Sequence, residues 1–233
     1  MLSLDDYFLD RDEIIKEQGK NINFELLEAI DLDLLNFHLK QLLRGKPIVP
    51  PKYNFNLGKK NSSNMKIDAD KKTLFIIEGI HGLNPRLTNN IDDSYKYKIY
   101  ISALTHLNFD NSNRISTHDA RLLRRIVRDY KYRGYSASET IGMWKKVISG
   151  EKKYIFPFQE ESNIMFNSSL AYEFGVLKKH AEEALKKVPK GDSVYPESKR
   201  LMDFLSYFLQ VDEAEIPPTS ILREFIGKSS FTY

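Results

Sequence analysis

Four stretches of the sequence carry side chains whose types and spacing could do chemistry. The densest is ARLLRRIVRDYKYRG at 120–134, where Arg121, Arg124, Arg125 and Arg128 fall at i, i+3, i+4 and i+7 and so share a helix face. Guanidinium forks match phosphate oxygens two bonds at a time, which makes this stripe, with Arg133 nearby, a candidate surface for phosphate groups. The same residues could form a solvated helix paired to Asp119 and Asp129, but those two acids face five arginines and Lys131. At the start of the chain, Leu2 and Leu4 lead into Asp5 and Asp6 within SLDDYF (3–8). A carboxylate at the carboxyl end of a parallel strand faces the crevice where α/β proteins bind ligands, and Asp5 could there accept the proton of a substrate hydroxyl. The alternative is that Asp5 or Asp6 caps the next helix. In FIIEGIHGL (75–83) an apolar run ends in Glu78 and Gly79, which puts a hard carboxylate oxygen where Mg²⁺ could be held directly or through water. PPKYNF (50–55) spaces Tyr53 and Phe55 two apart in a proline-led extended segment. Their rings then share a face, where they could sandwich a planar ligand such as a nucleobase or simply pack in a core.

The elements that must position these groups are legible as alternating strands and helices. Residues 26–43 space Leu27, Ile30, Leu34, Leu35, Leu39 and Leu42 at helical intervals and end at Gly45 and Pro47, which predicts one helix. Residues 73–78 form a short apolar run closed by glycine, as a strand buried on both faces would. Weaker strand patterns lie at 96–102 and 163–166, and helices are expected at 117–132, 137–148, 169–187 and 197–209. The polar, lysine-rich stretch 59–72 reads as a surface loop. The alternation predicts an α/β fold with a mainly parallel sheet. With 233 residues, 41% of them hydrophobic, a packed core needs no metal or disulfide, and the absence of cysteine excludes thiol nucleophiles and Cys-ligated metals. Five scattered histidines without H-E-x-x-H offer no zinc site. No apolar run is long enough to span a membrane, the first residues are acidic, and a net charge of +3 is too mild to demand a polyanion. A cytoplasmic protein with no membrane or nucleic-acid partner is expected, and nothing fixes its oligomeric state.

Taken together, SLDDYF, NFELLEAIDLDLL, PPKYNF, FIIEGIHGL, RLLRRIVRDYKYRG and the tail SILREFIG resemble, in order over residues 2–233, the uridine kinase and phosphoribulokinase family of P-loop kinases. Its bacterial uridine kinase-like nucleoside kinases are the nearest likeness. The resemblance implies a P-loop NTPase-like three-layer α/β fold in a single domain, with a lid-like helix at 117–134 and a helical C-terminal part at 169–233. It implies transfer of the ATP γ-phosphate to a small-molecule hydroxyl, usually the 5′-hydroxyl of uridine or cytidine, with ATP and Mg²⁺ required and the nucleoside as partner. By position it makes Asp5 the catalytic base and Glu78 the acidic partner of Mg²⁺, and puts Tyr53 and Phe55 at the nucleoside. Arg121, Arg124, Arg125 and Arg128 fall on the lid helix that closes over the phosphates, with Arg124 and Arg128 as its catalytic members.

The central motif of that family does not occur here. Of four Gly-Lys pairs, at 19–20, 45–46, 58–59 and 227–228, only the last is followed by serine, and Leu222 stands where the first glycine of G-x-x-x-x-G-K-[ST] belongs. The family's phosphate loop and first strand precede SLDDYF, so the expectation is a chain that begins just after them. The missing parts supply much of the electrostatic stabilisation in phosphoryl transfer, and the sheet is left with an open seam. Two further departures concern the nucleoside: Glu25 stands where animal uridine–cytidine kinases carry aspartate, and Gly58 where they carry histidine. The rival readings are a phosphoribulokinase-like enzyme for another hydroxyl compound, and a non-catalytic remnant that binds nucleoside or anion. In the tail, Arg223 is either a phosphate or carboxylate ligand or part of a core plug.

Overall fold

Amphipathic periodicity and side-chain caps set most element boundaries in the computed structural model, which describes residues 1–18, 26–55, 57–63, 65–70, 72–105, 107–108 and 110–231. Glu25 lies outside the described residues. In chain order the elements are β1 (Leu2–Ser3), α1 (Arg11–Gln18), α2 (Leu32–Leu43), β2 (Pro51–Asn54), β3 (Lys59–Ser62), β4 (Ile77–Glu78) and β5 (Ile99–Ser102). There follow α3 (Thr117–Arg128), α4 (Ala137–Tyr154), β6 (Ile164–Asn167), α5 (Glu173–Leu185), α6 (Tyr195–Ser206) and α7 (Arg223–Ile226). β1 pairs with β4 in parallel, Leu2 beside Ile77 and Ser3 beside Glu78, while β2 and β3 form an antiparallel hairpin with Tyr53 opposite Lys60. β5 pairs with β6, and the bonds from Asn163 N to Lys98 O and from Ser168 N to Ser102 O, both 2.8 Å, keep a nearly constant offset, so this pair is parallel as well. The architecture is mixed α/β with parallel strand pairs, as the alternation predicts. The chain forms two compact units, Met1–Tyr100 with Val147–Ile164 and Ile101–Lys146 with Met165–Tyr233, and each is described by itself.

In the first unit the core gathers Leu4, Tyr7, Ile14, Leu27, Leu35 and Leu87, all at most 1% exposed. The single helix expected over 26–43 is broken. Leu27–Ala29 is one 3-10 turn, Ile30 is extended and bridges to Phe8, and α2 starts afresh because the Asp31 carboxylate accepts from Leu34 N at 3.0 Å. The surface loop expected at 59–72 is also corrected, since Lys59–Ser62 pairs along β2 and Ile67 bridges to Ile48. Of the apolar run 73–78 only Ile77–Glu78 is bonded as strand. Phe75 and Ile77 pack on the core, but Leu74 is 87% and Ile76 59% exposed, which overturns the expectation of burial on both faces. Period-2 alternation puts these two side chains on the opposite face.

In the second unit α3 packs on α5 and α7, and α5 on α6. Leu122, Leu123, Ile126 and Val127 form the buried side of α3, and Phe174, Phe204 and Phe208 meet with ring centroids 4.9–5.2 Å apart. The helix expected at 117–132 leaves α geometry at Arg128 and continues as a π-turn over Asp129–Arg133, closed by Gly134 at φ 71°. That left-handed terminus suits glycine, which carries no Cβ to clash. The helix expected at 137–148 runs on to Tyr154, and those expected at 169–187 and 197–209 are trimmed to Glu173–Leu185 and Tyr195–Ser206.

Candidate active site

The first unit places two acids at the carboxyl ends of neighbouring parallel strands. Ser3, the last residue of β1, is the register partner of Glu78, the last residue of β4. Adjacent strands run about 4.8 Å apart, so the turn that follows β1 starts beside Glu78. That turn is the 3-10 segment Leu4–Tyr7, which carries the half-buried Asp5 and buries Leu4 and Tyr7. Gly79, at φ 150°, lets the chain leave β4 against it: a Cβ there would lie 2.6 Å from Leu4 Cβ. Neither Asp5 nor Asp6 caps α1. The acid before that helix is Asp10, whose N–H donates to Glu13 Oε2 at 3.0 Å, one half of a capping box.

The β2–β3 hairpin is pinned to the same turn by carboxylates. Asp6 accepts from Tyr53 N at 3.3 Å and from Lys52 Nζ at 3.2 Å, Asp10 accepts from Lys60 N at 2.7 Å, and Lys60 Nζ meets Asp31 at 2.6 Å. Gly58, at φ 67°, takes the left-handed turn of the hairpin and abuts Arg11, whose Nε would stand 2.7 Å from any Cβ placed there. Tyr53 and Phe55 do lie together, but they meet each other edge to face at 5.2 Å rather than facing across a gap, and Phe8 closes on both at 5.7 and 6.2 Å. A base therefore cannot enter between these two rings. Phe55 is 52% exposed, and the buried Tyr53 hydroxyl has no hydrogen-bond partner among the described residues. Burial also raises the Tyr53 pKa, so that hydroxyl keeps its proton and can donate.

The exposed Glu78 makes no ion pair or hydrogen bond among the described residues, and no three His, Asp or Glu side chains gather there as a closed metal cage. One unpaired hard oxygen fits Mg²⁺, which commonly takes one or two carboxylates and fills its other positions with water and substrate phosphate oxygens.

The second unit divides the arginine stripe. Arg124 turns inward to 8% exposure, pairs with the buried Glu173, and donates to Ser168 O at 2.7 Å and Ser168 Oγ at 3.1 Å. Its guanidinium also lies 5.5 Å from the Phe225 ring centroid. Arg125, Arg128 and Arg133 instead converge on the buried Asp129 at 3.2, 3.3 and 3.6 Å. Burial, together with the charges of Arg133 and Arg125, lowers the Arg128 pKa. Arg121 lies 6.0 Å from the Trp144 ring. Sequence reasoning overlooked the structural parts played by Asp6, Lys60 and Glu173. Of the two acids in the alternative reading, Asp129 does pair with this helix's arginines, whereas Asp119 accepts from both ends of the Arg200 guanidinium at 2.7 and 3.0 Å.

A family model described as the Phosphoribulokinase / Uridine kinase family matches residues 4–172, which takes in the Asp5 turn, the hairpin, Glu78 and the arginine helix. The chain belongs to that family. Its relatives include the uridine kinase of Staphylococcus epidermidis, 29% identical over 166 residues, 71% of this chain and 72% of that one. The uridine kinase of Brevibacillus brevis is 30% identical over 148 residues, 64% of this chain and 61% of that one, and that of Oceanobacillus iheyensis 28% identical over 167 residues, 71% and 70% of the two chains. The mixed α/β architecture agrees with a P-loop NTPase-like kinase fold, the family thus implies nucleoside phosphorylation with ATP as donor, and no described helix is long and apolar enough to cross a membrane.

Proposed function

We propose that this phosphoribulokinase/uridine kinase family chain carries the acceptor side of an ATP-dependent nucleoside kinase. The observation that carries the reading is the register of β1 with β4, which sets Asp5 just past the strand neighbouring Glu78. In the proposed reaction the Asp5 carboxylate accepts the proton of the nucleoside 5′-hydroxyl. The freed oxygen then bonds to the γ-phosphorus as the bond to the bridging β–γ oxygen breaks, and ADP leaves. Glu78 would hold Mg²⁺, which when bound neutralises charge on the phosphate oxygens. By the family likeness Arg121, Arg125 and Arg128 would bind phosphate groups, with Arg124 fixing their helix through Glu173. Phe55, half-exposed beside Tyr53, would meet the base and favour a nucleoside over the sugar phosphate of a phosphoribulokinase, which carries no flat ring.

No Walker A sequence occurs in the 233 residues, so turnover is proposed to need a phosphate loop in addition. The same absence favours a second reading, nucleoside or anion binding without transfer. Assaying radiolabelled phosphate transfer from ATP to uridine separates the two, using the 233-residue chain and a version with a strand, Walker A loop and helix joined ahead of Met1. Transfer by the extended form supports the kinase reading. Uridine binding by both forms with transfer by neither supports the second.

A further inference from the structure

We infer that the second unit holds a separate pocket for a phosphate ester, built on Arg223 and Lys228. Arg223 is 7% exposed, yet its guanidinium donates only to backbone carbonyls: Glu213 O at 2.8 Å, Pro217 O and Gly227 O at 3.4 Å, and Ile216 O. Among the described residues no carboxylate stands within ion-pair distance of it. Carbonyl dipoles solvate a buried cation without neutralising it, and buried charges are ordinarily paired. The other buried arginine of the same unit, Arg124, shows the ordinary solution in its contact with Glu173.

Arg223 lines an open cavity of about 320 Å³ together with Lys179, Lys228, Asp212 and Glu213. Glu213 is paired to cations, while Asp212, held by a backbone N–H, keeps its negative charge in the lining. Asp212 caps the turn Glu213–Glu215 by accepting from Ala214 N at 3.0 Å, while Glu213 meets His180 Nε2 at 2.9 Å and Lys179 Nζ at 3.9 Å. Among the described residues Arg223 and Lys228 have no acid within ion-pair distance, and the lining cations Lys179, Arg223 and Lys228 outnumber the two lining acids by one. Lys228 is also the one described non-glycine residue in the left-handed region, at φ 60°, a conformation that aims an L side chain only under constraint. The donors left for phosphate oxygens are the Lys228 ammonium and Arg223 Nη1, whose one bond among the described residues is the 3.4 Å contact to Gly227 O. A cavity of this volume exceeds what bare phosphate needs and suits a small organic molecule, whose neutral body would lie on Val176, Val211 and Ala214. Neither Asp5 nor Glu78 enters the argument, so the pocket stands or falls apart from the proposed kinase chemistry.

The test is an amide-resolved NMR titration of the full chain with glycerol 3-phosphate, with glycerol as control. Saturable shifts at Glu213, Ala214, Gly227 and Lys228, absent with glycerol, are expected, with at least threefold weaker binding in Lys228→Gln and unchanged binding in Asp5→Asn. Arg223→Gln should abolish the shifts, but it risks unfolding the tail, so the exposed Lys228 decides. Absence of saturable shifts at those amides, equal shifts with glycerol, or an unchanged affinity in Lys228→Gln would each overturn the assignment.

Discussion

The Asp6 carboxylate accepts the backbone N–H of Tyr53 at 3.3 Å, which ties the turn bearing Asp5 to the hairpin bearing Phe55. An acid that holds the acceptor site together from behind should act on substrate binding more than on chemistry. In a form competent for turnover, Asp6→Ala is expected to raise KM for the nucleoside several-fold with kcat changed less, and to cost about 1 kcal/mol of stability for the lost hydrogen bond. Asp6→Asn keeps an acceptor oxygen and should recover most of both. Equal losses in Asn and Ala, or a loss confined to kcat, would contradict a positioning role.

Arg124 and Glu173 form a buried pair with side chains 10% and 1% exposed, whereas the Arg128 side chain is 27% exposed. Removing one member of a buried pair strands the other, at about 3–5 kcal/mol. Glu173→Gln should therefore lower the denaturation midpoint far more than Arg128→Gln does. Joint replacement by apolar residues, Arg124→Met with Glu173→Leu, should be milder than either single change. Equal, small losses for Glu173→Gln and Arg128→Gln would show that the pair does not anchor the helix.

Gly79→Ala meets two obstacles, a φ of 150° and a Cβ 2.6 Å from Leu4 Cβ. Overpacking of this kind costs about 1–3 kcal/mol. The shift should also displace the Asp5 turn, read as changed amide shifts at Leu4–Tyr7. A variant of unchanged stability and spectrum would mean that the β4 exit is looser than the register implies.

The buried His38 ring lies 2.9 Å from the Tyr7 hydroxyl through Nδ1. Burial lowers the His38 pKa below its usual 6.5, only partly opposed by Asp31, and burial raises that of Tyr7, so a neutral ring accepts from a protonated phenol. Below pH 6.5 the unfolded chain then binds a proton that the folded chain refuses. This part of the stability is present above that pH, is lost as the pH falls towards the folded value, and changes by at most about 1.4 kcal/mol per pH unit for one group. Urea melts from pH 7.5 to 5 should show the loss, and His38→Gln should flatten it, leaving the share of His180, which burial shifts the same way. An unchanged slope in His38→Gln would contradict the assignment.

The strand-end positions of Asp5 and Glu78 in the candidate site were legible because these groups close apolar runs: Glu78 ends one at Gly79, and Asp5 follows Leu2 and Leu4. Helices α3 and α5 were legible because their apolar residues repeat at helical spacing. The break at Ile30 was not, since Leu27, Ile30 and Leu34 satisfy a helical period whether or not Ile30 leaves the helix to bridge Phe8. Lysine-rich Lys59–Ser62 reads as loop until the hairpin partner and the acids Asp10 and Asp31 are in place. The stripe spacing set four arginines on one face, but which of them turns inward depends on Glu173, 49 residues from Arg124. No local pattern encodes that contact.

The central claim is that Asp5, beside Glu78, is the base for the acceptor hydroxyl. Its most direct test is single-turnover phosphate transfer from ATP to uridine in the form carrying a Walker A segment, comparing Asp5→Asn with the parent. A loss of about 10²-fold or more in the transfer rate, with ATP affinity within twofold, is predicted. Transfer retained within a few-fold in Asp5→Asn would contradict the account.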